Sequence, residues 1–180
     1  MRAITVQHKD VLKQLQTNGS YVADINNVKY DNLKNAYEFM MRAYGYRTCP
    51  IFLAPVGHKV EFYGASFDED HVAIEFDIPE DRIRIQKYYD WTDFVYFLEY
   101  QDEFYPSIYS DVYEFGNAIL VDTTTLNEWC AYQITVDELR RDWIVDTTGQ
   151  LDRLDHLHNG SGGQNILNEL SFYKGVKNEP

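Results

Sequence analysis

Apolar and polar residues alternate over residues 3–7, Ile4 and Val6 against Thr5 and Gln7, which is the period of a β-strand. The period then lengthens. Val11, Leu12 and Leu15 share one face of a short helix that Asp10 can cap and Gly19 can stop. Residues 21–29 read as irregular around the turn-prone Asn26-Asn27 pair. The clearest helix follows Asp31, where Leu33, Ala36, Tyr37, Met40 and Tyr44 recur at helical spacing up to Gly45. The middle of the chain returns to the short period. Residues 51–56 and 60–63 predict two strands joined at Gly57-His58, and residues 71–78 set Val72, Ile74, Phe76 and Ile78 opposite Ala73, Glu75 and Asp77. Pro79-Glu80-Asp81 turns the chain, and Ile83 and Ile85 alternate with Arg82 and Arg84. A third helix is predicted from Asp90, with Trp91, Phe94, Val95 and Leu98 inward.

Residues 100–116 are acidic, aromatic and interrupted by Pro106, which predicts a loop with a helical turn. Residues 118–121 and 131–136 read as strands, the first of them buried. Thr135 and Glu138 have the spacing of a capping box, so a short helix is expected through Trp143. Leu151, Leu154 and Leu157 suggest one more helical piece before the Gly160-Ser161-Gly162-Gly163 joint and a short terminal helix or tail. The pattern predicts one compact α+β domain over residues 1–159, with a central, mostly antiparallel sheet and helices near both ends of the chain, followed by a tail over residues 160–180.

Composition narrows the function. Sixteen Lys and Arg against twenty-nine Asp and Glu give a net charge of −13. That balance argues against direct binding to nucleic acid or to an anionic membrane, both of which demand cationic surface. Two cysteines are too few for a disulfide scaffold, and the early polar run Gln7-His8-Lys9-Asp10 leaves no signal peptide to expect, so a reduced, cytoplasmic setting is the expectation. The charge is also uneven. Residues 1–60 carry eight cations and four carboxylates, a net of +4, while residues 61–180 carry eight and twenty-five, a net of −17. No Lys or Arg occurs in the fifty-two residues 88–139, which hold eleven carboxylates and fourteen aromatic residues. Carboxylates without cations repel one another, and a cationic partner would relieve that repulsion. Interleaved aromatics supply the contact area from which protein interfaces are made. The same composition also fits a solvated acidic surface over an aromatic core.

Catalytic and metal-binding patterns are sparse. Asp152, Asp155, His156 and His158 are the densest metal-capable group, but on the helix that their leucine spacing predicts the two histidines diverge, so no metal site is expected. Cys49 and Cys130 sit among apolar neighbours and read as buried, inert thiols. No nucleophile elbow and no phosphate-binding glycine loop is present. The chain is therefore expected to be an acidic, aromatic-rich protein-binding module, an inhibitor or adaptor acting on a basic protein, without a cofactor. Its partner-contacting residues would be Asp90, Asp93, Glu99, Asp102, Glu103, Tyr105, Tyr109, Asp111, Tyr113 and Glu114.

Two resemblances add to this reading. A first strand bearing Thr5 and Gln7, a helix closing Leu15-x-x-x-Gly19, aromatic central strands and a late strand after Glu128 together resemble the layout of ADP-ribosyltransferase-like enzymes. That layout implies an alternative function, an enzyme using a nicotinamide dinucleotide (NAD), with Thr5, Tyr37 and Glu128 at its centre. The order Thr5-Val6-Gln7, Leu12-x-x-Leu15-x-x-x-Gly19, Ala36-Tyr37-Glu38-Phe39-Met40-Met41, Pro50-Ile51-Phe52, Ile74-Glu75-Phe76-Asp77-Ile78-Pro79-Glu80-Asp81, Asp90-Trp91 and Gln133-Ile134-Thr135-Val136 resembles a small domain-of-unknown-function family. That family is found in Gram-positive bacteria and their phages and mobile elements. The resemblance spans about residues 3–146, with Phe39 standing where family members usually have Trp. It implies a small intracellular protein, with phage or anti-defence biology as the setting.

Overall fold

Nine strands and three α-helices are present among the residues that the computed structural model describes, which are 1–56, 69–100, 120–121, 123–126 and 131–147. In chain order they are β1 (Arg2–His8), α1 (Lys9–Asn18), β2 (Ser20–Tyr21), α2 (Asp31–Tyr44), β3 (Ile51–Pro55), β4 (His71–Asp77), β5 (Arg84–Lys87), α3 (Tyr88–Tyr100), β6 (Leu120–Val121), β7 (Tyr132–Val136), β8 (Leu139–Arg140) and β9 (Ile144–Asp146). Seven strands form one sheet in the order β6-β5-β7-β3-β1-β4-β9, and each described pairing in it is antiparallel. β2 and β8 make a separate two-stranded ladder. The chain is thus an α+β fold built on an antiparallel sheet.

Helices cover this sheet on both faces. On one face, Val11 and Leu15 of α1 meet Ile51, Leu53, Ile74, Phe76, Ile134 and Val136. On the other, Ala36, Phe39, Met40 and Tyr44 of α2 pack against Trp91, Phe94 and Val95 of α3, with Phe52 and Leu120 at the margin. The period of two holds in β4 and β7, but its polar half stays largely out of solvent: Ala73, Glu75, Gln133 and Thr135 are all buried, and Asp77 at the end of β4 is exposed. A strand covered on both faces hides its polar positions as well as its apolar ones, so alternation alone understates burial.

Helix ends follow local chemistry, with one correction. Gly19 and Gly45 stop α1 and α2 in the left-handed region, at φ 82° and 72°, where a side chain would be strained. The cap of α1 is His8, whose Nδ1 accepts from the Asp10 backbone N–H at 3.2 Å; Asp10 itself lies in the first turn. α3 starts at Tyr88, two residues before the predicted Asp90, and lies mid-chain. β6 is an edge strand and only half-buried. Residues 57–68 and the C-terminal segment from residue 148, including the predicted hairpin tip, helical piece, joint and tail, lie outside the described residues.

The capping-box expectation at Thr135 is overturned. Thr135 lies within β7, paired to Phe52 on one side and Arg84 on the other, and the Tyr46 hydroxyl donates to its carbonyl at 2.7 Å. Helix initiation there would break both ladders, so tertiary pairing wins over a local spacing signal. The chain then forms β8, a 3-10 turn (Arg141–Trp143) and β9 in place of the expected helix.

Two connections run over the α1 face, from β4 to β5 and from β7 to β9, and they are stitched together. Ile78 and Ile83 of the first and Leu139 of the second join the aliphatic core. Arg82 of the first reaches Asp137 at 3.4 Å and Glu138 at 3.8 Å in the second. The guanidinium groups of Arg82 and Arg140 lie 5.9 and 5.8 Å from the Trp143 ring centroid. No helix among the described residues is long and apolar enough to cross a membrane.

Candidate functional site

Position on α3 sorts the cation-free segment into buried and outward residues. Trp91, Phe94 and Val95 face α2 and are almost fully buried, held by ring contacts at 4.8 Å (Phe39–Phe94), 5.7 Å (Phe52–Trp91) and 6.1 Å (Tyr37–Trp91). Asp90 and Asp93, three apart, share another side of the helix, where Asp93 is exposed and Asp90 partly so. Tyr89 beside them is 53% exposed. The helix therefore presents carboxylates and one tyrosine outward from a rigid aromatic footing. Glu99 falls in its last turn. The remaining sequence-predicted contact residues, Asp102, Glu103, Tyr105, Tyr109, Asp111, Tyr113 and Glu114, lie outside the described residues.

Three of the described carboxylates of this segment, Asp90, Asp137 and Glu138, draw cations from its flanks. Lys87 Nζ stands 3.6 Å from Asp90 Oδ2, an exposed i,i+3 pair, and Arg82 serves Asp137 and Glu138. Asp137 and Glu138 thereby bind the two crossing connections together and belong to the fold. The aromatics divide likewise: Trp91, Phe94 and Tyr132 are core, and Tyr89 is the large exposed one among the described residues.

Thr5 and Tyr37, the strand residue and the aromatic of the enzyme layout, do not meet. Thr5 lies on the α1 face, in step with Ala3 and opposite Ile74; its hydroxyl donates to the Phe52 carbonyl and accepts from Gln7 Nε2, both at 2.9 Å. Tyr37 lies across the sheet, packed on Phe52 and Trp91. Burial, with a smaller contribution from Cys49, pushes its hydroxyl up to about 12. Glu128 lies outside the described residues, as do Cys130, His156 and His158. Cys49 is buried, and burial first and Asp24 second push its thiol up to about 11, which leaves almost no thiolate at neutral pH. No group of three or more His, Cys, Asp or Glu among the described residues is placed to hold a metal ion.

A polar strip beneath α2 and α3 has no counterpart in the sequence reading. Leu120, Gln86 and Gln133 form one row across β6, β5 and β7, and Arg84, Thr135 and Phe52 form the next row across β5, β7 and β3. Leu120 and Phe52 both touch the aromatic cluster, so the two glutamines lie under it. Gln86 is 0% exposed, and Gln133 and Tyr44 are each 7% exposed. Gln86 Nε2 and Oε1, Gln133 Nε2 and Tyr44 Oη have no hydrogen-bond partner among the described residues. A buried polar group left unsatisfied costs about 1–3 kcal/mol. Tyr44 sits near Arg84, one row along; burial pushes its hydroxyl well above the usual tyrosine value, Tyr46 adds to the rise, and Arg84 opposes it. The only sequence signal for this strip is the pair of polar residues in short-period strands, which reads equally well as a solvent-facing row.

Compared with protein-family models, with curated proteins and with solved structures, the chain matches none of them.

Proposed function

We propose that this chain is a protein-binding module, an inhibitor or adaptor that docks its acidic segment onto a basic partner protein. The observation that carries the reading is the run of fifty-two residues, 88–139, with eleven carboxylates and no Lys or Arg. The orientation of α3 is consistent with it, since Asp90, Asp93 and Tyr89 point away from the packed aromatic side. A partner with a cationic groove of the kind that holds nucleic acid complements such a segment, and electrostatic steering makes capture fast and sensitive to salt. A host defence or DNA-handling protein has that chemistry, in keeping with the resemblance to proteins of phages and mobile elements. The partner contacts run from Asp90 and Asp93 through Glu99, Asp102 and Glu103 to Tyr105, Tyr109, Asp111, Tyr113 and Glu114.

Affinity capture from cells of the source organism, with bound proteins identified by mass spectrometry, tests this. The full chain should retain a basic protein that salt releases. A variant carrying Asp90→Asn, Asp93→Asn, Asp102→Asn, Glu103→Gln, Asp111→Asn and Glu114→Gln should lose it. Equal capture by both chains would show that the segment is only a solvated surface.

A further inference from the structure

Four hydrogen-bonding atoms on Gln86, Gln133 and Tyr44 enter the layer between the sheet and α2/α3, and none has a partner among the described residues. Buried polar groups in folded proteins are nearly always satisfied, so four in one strip need a physical account. Gln86 and Gln133 face each other across the β5–β7 ladder, where paired Cβ atoms stand about 4.5–5.5 Å apart. Two carboxamides at that spacing can bond to each other directly, yet both ends of the Gln86 amide are unpaired. Their hydrogen-bonding capacity is therefore turned toward the layer itself.

The chemistry of the lining defines what fits. The Gln86 carboxamide offers two donor hydrogens and an acceptor oxygen, Gln133 offers its Nε2 donors, and the tyrosine hydroxyl offers both functions, all without charge. The nearby cation, Arg84, has its Nη1 bonded to the Ile83 carbonyl at 2.8 Å. The aromatic cluster above holds Trp91 and Phe94, with Phe52 and Leu120 at the margins of the strip. An apolar, aromatic surround with a few placed amides is the make-up of sites for small neutral molecules. A layer this deeply buried also penalises a charged occupant.

We infer that Gln86, Gln133 and Tyr44 form a binding site for an uncharged ligand that presents donors and acceptors together. Two sources have that chemistry: ordered water, and a small flat amide or nucleobase-like molecule. The inference stands apart from the acidic segment and survives if that segment binds nothing.

A high-resolution crystal structure of the full chain tests the site. Density at hydrogen-bonding distance from the Gln86 amide is the expected result. A direct Gln86–Gln133 bond, or a strip without density, overturns the inference. Native mass spectrometry of the same preparation separates the sources, because an organic ligand adds mass over the denatured chain and water does not; adenine, uracil and benzamide are the probes for thermal-shift follow-up. Gln86→Met, similar in length but apolar, gives an independent readout. A filled site predicts that Tm falls by about 2–4 °C. A bare amide predicts that Tm rises, since the variant removes an uncompensated buried group, and a rise or no change overturns the proposal. Gln133→Met repeats the measurement should Gln86→Met fail to fold.

Discussion

On the α1 face, Ile74, Phe76, Ile134 and Val136 meet Val11 and Leu15, and the core there is mostly aliphatic, with Phe76 and Tyr132 as its buried aromatics. On the α2/α3 face, the same strands present Glu75, Gln133 and Thr135, β5 adds Gln86, the helices above bring Phe39, Trp91, Phe94, Tyr37 and Tyr44, and Tyr46 follows just after α2. The first face needs mainly burial, and Thr5, the buried polar side chain that it carries, is satisfied by the Phe52 carbonyl and Gln7 Nε2. The second needs burial together with partners for its polar atoms: Arg2 Nε donates to Glu75 at 2.6 Å, and Tyr46 bonds to Thr135, while Gln86, Gln133 and Tyr44 wait for theirs. One sheet thus carries a face that stabilises by area and a face that has the groups for recognition. In a sheet covered on both faces, chemistry concentrates on the side where polar residues are buried without partners.

The largest expected effects test whether both faces are structural. Ile134→Ala on the first and Phe94→Ala on the second each remove a fully buried side chain and should cost about 3–4 kcal/mol in urea unfolding. A much smaller loss for Phe94→Ala would make the α2/α3 layer a loose cover and end the comparison.

Alkaline pH should separate the faces. Burial pushes Tyr37 and Tyr46 up to about 12 from an ordinary value near 10, with the Thr135 hydrogen bond and Arg84 partly opposing the rise at Tyr46. A hydroxyl whose value is raised in the folded state contributes stability that is complete below pH 10 and is lost as pH climbs from there toward 12. The total loss should be on the order of 2–4 kcal/mol, read as a falling urea midpoint, with amide exchange accelerating first in α2 and α3. Tyr46→Phe should flatten the slope, and an unchanged slope would remove Tyr46 from the account.

Smaller effects sharpen the picture. Gly19→Ala and Gly45→Ala end one helix on each face, and with open space at both positions each should cost about 1–2 kcal/mol from left-handed backbone strain alone. Unequal costs would show that one helix terminus tolerates rearrangement. Asp90→Asn should change stability by less than about 0.5 kcal/mol, because its pair with Lys87 is exposed, while still contributing to the loss of partner capture.

Periodicity made much of the fold legible. β1, β4 and α2 fall where the spacing of Ile4, Ile74 and Met40 places them, and Gly19 and Gly45 stop helices because only glycine enters the left-handed region freely. Cys49 is buried as its apolar neighbours imply. Thr135 shows why a local signal fails: the hydroxyl-to-carboxylate spacing is real, but two neighbouring strands claim its backbone. The outward placement of Asp90 and Asp93 was readable from helical spacing, whereas the engagement of Asp137 and Glu138 by Arg82 was not, since it depends on two connections crossing one face.

By itself the sequence determined the elements that short-range chemistry controls: strand and helix periods, glycine stops, and the location of a cation-free acidic run. Only the tertiary structure decided that the sheet is covered on both faces, that Thr5 and Tyr37 stand on opposite sides of it, and that Gln86 and Gln133 are buried opposite each other. The physical reason is that a polar residue in an alternating strand looks the same whether water or a helix lies above it, and what lies above it is set by segments far away in the chain.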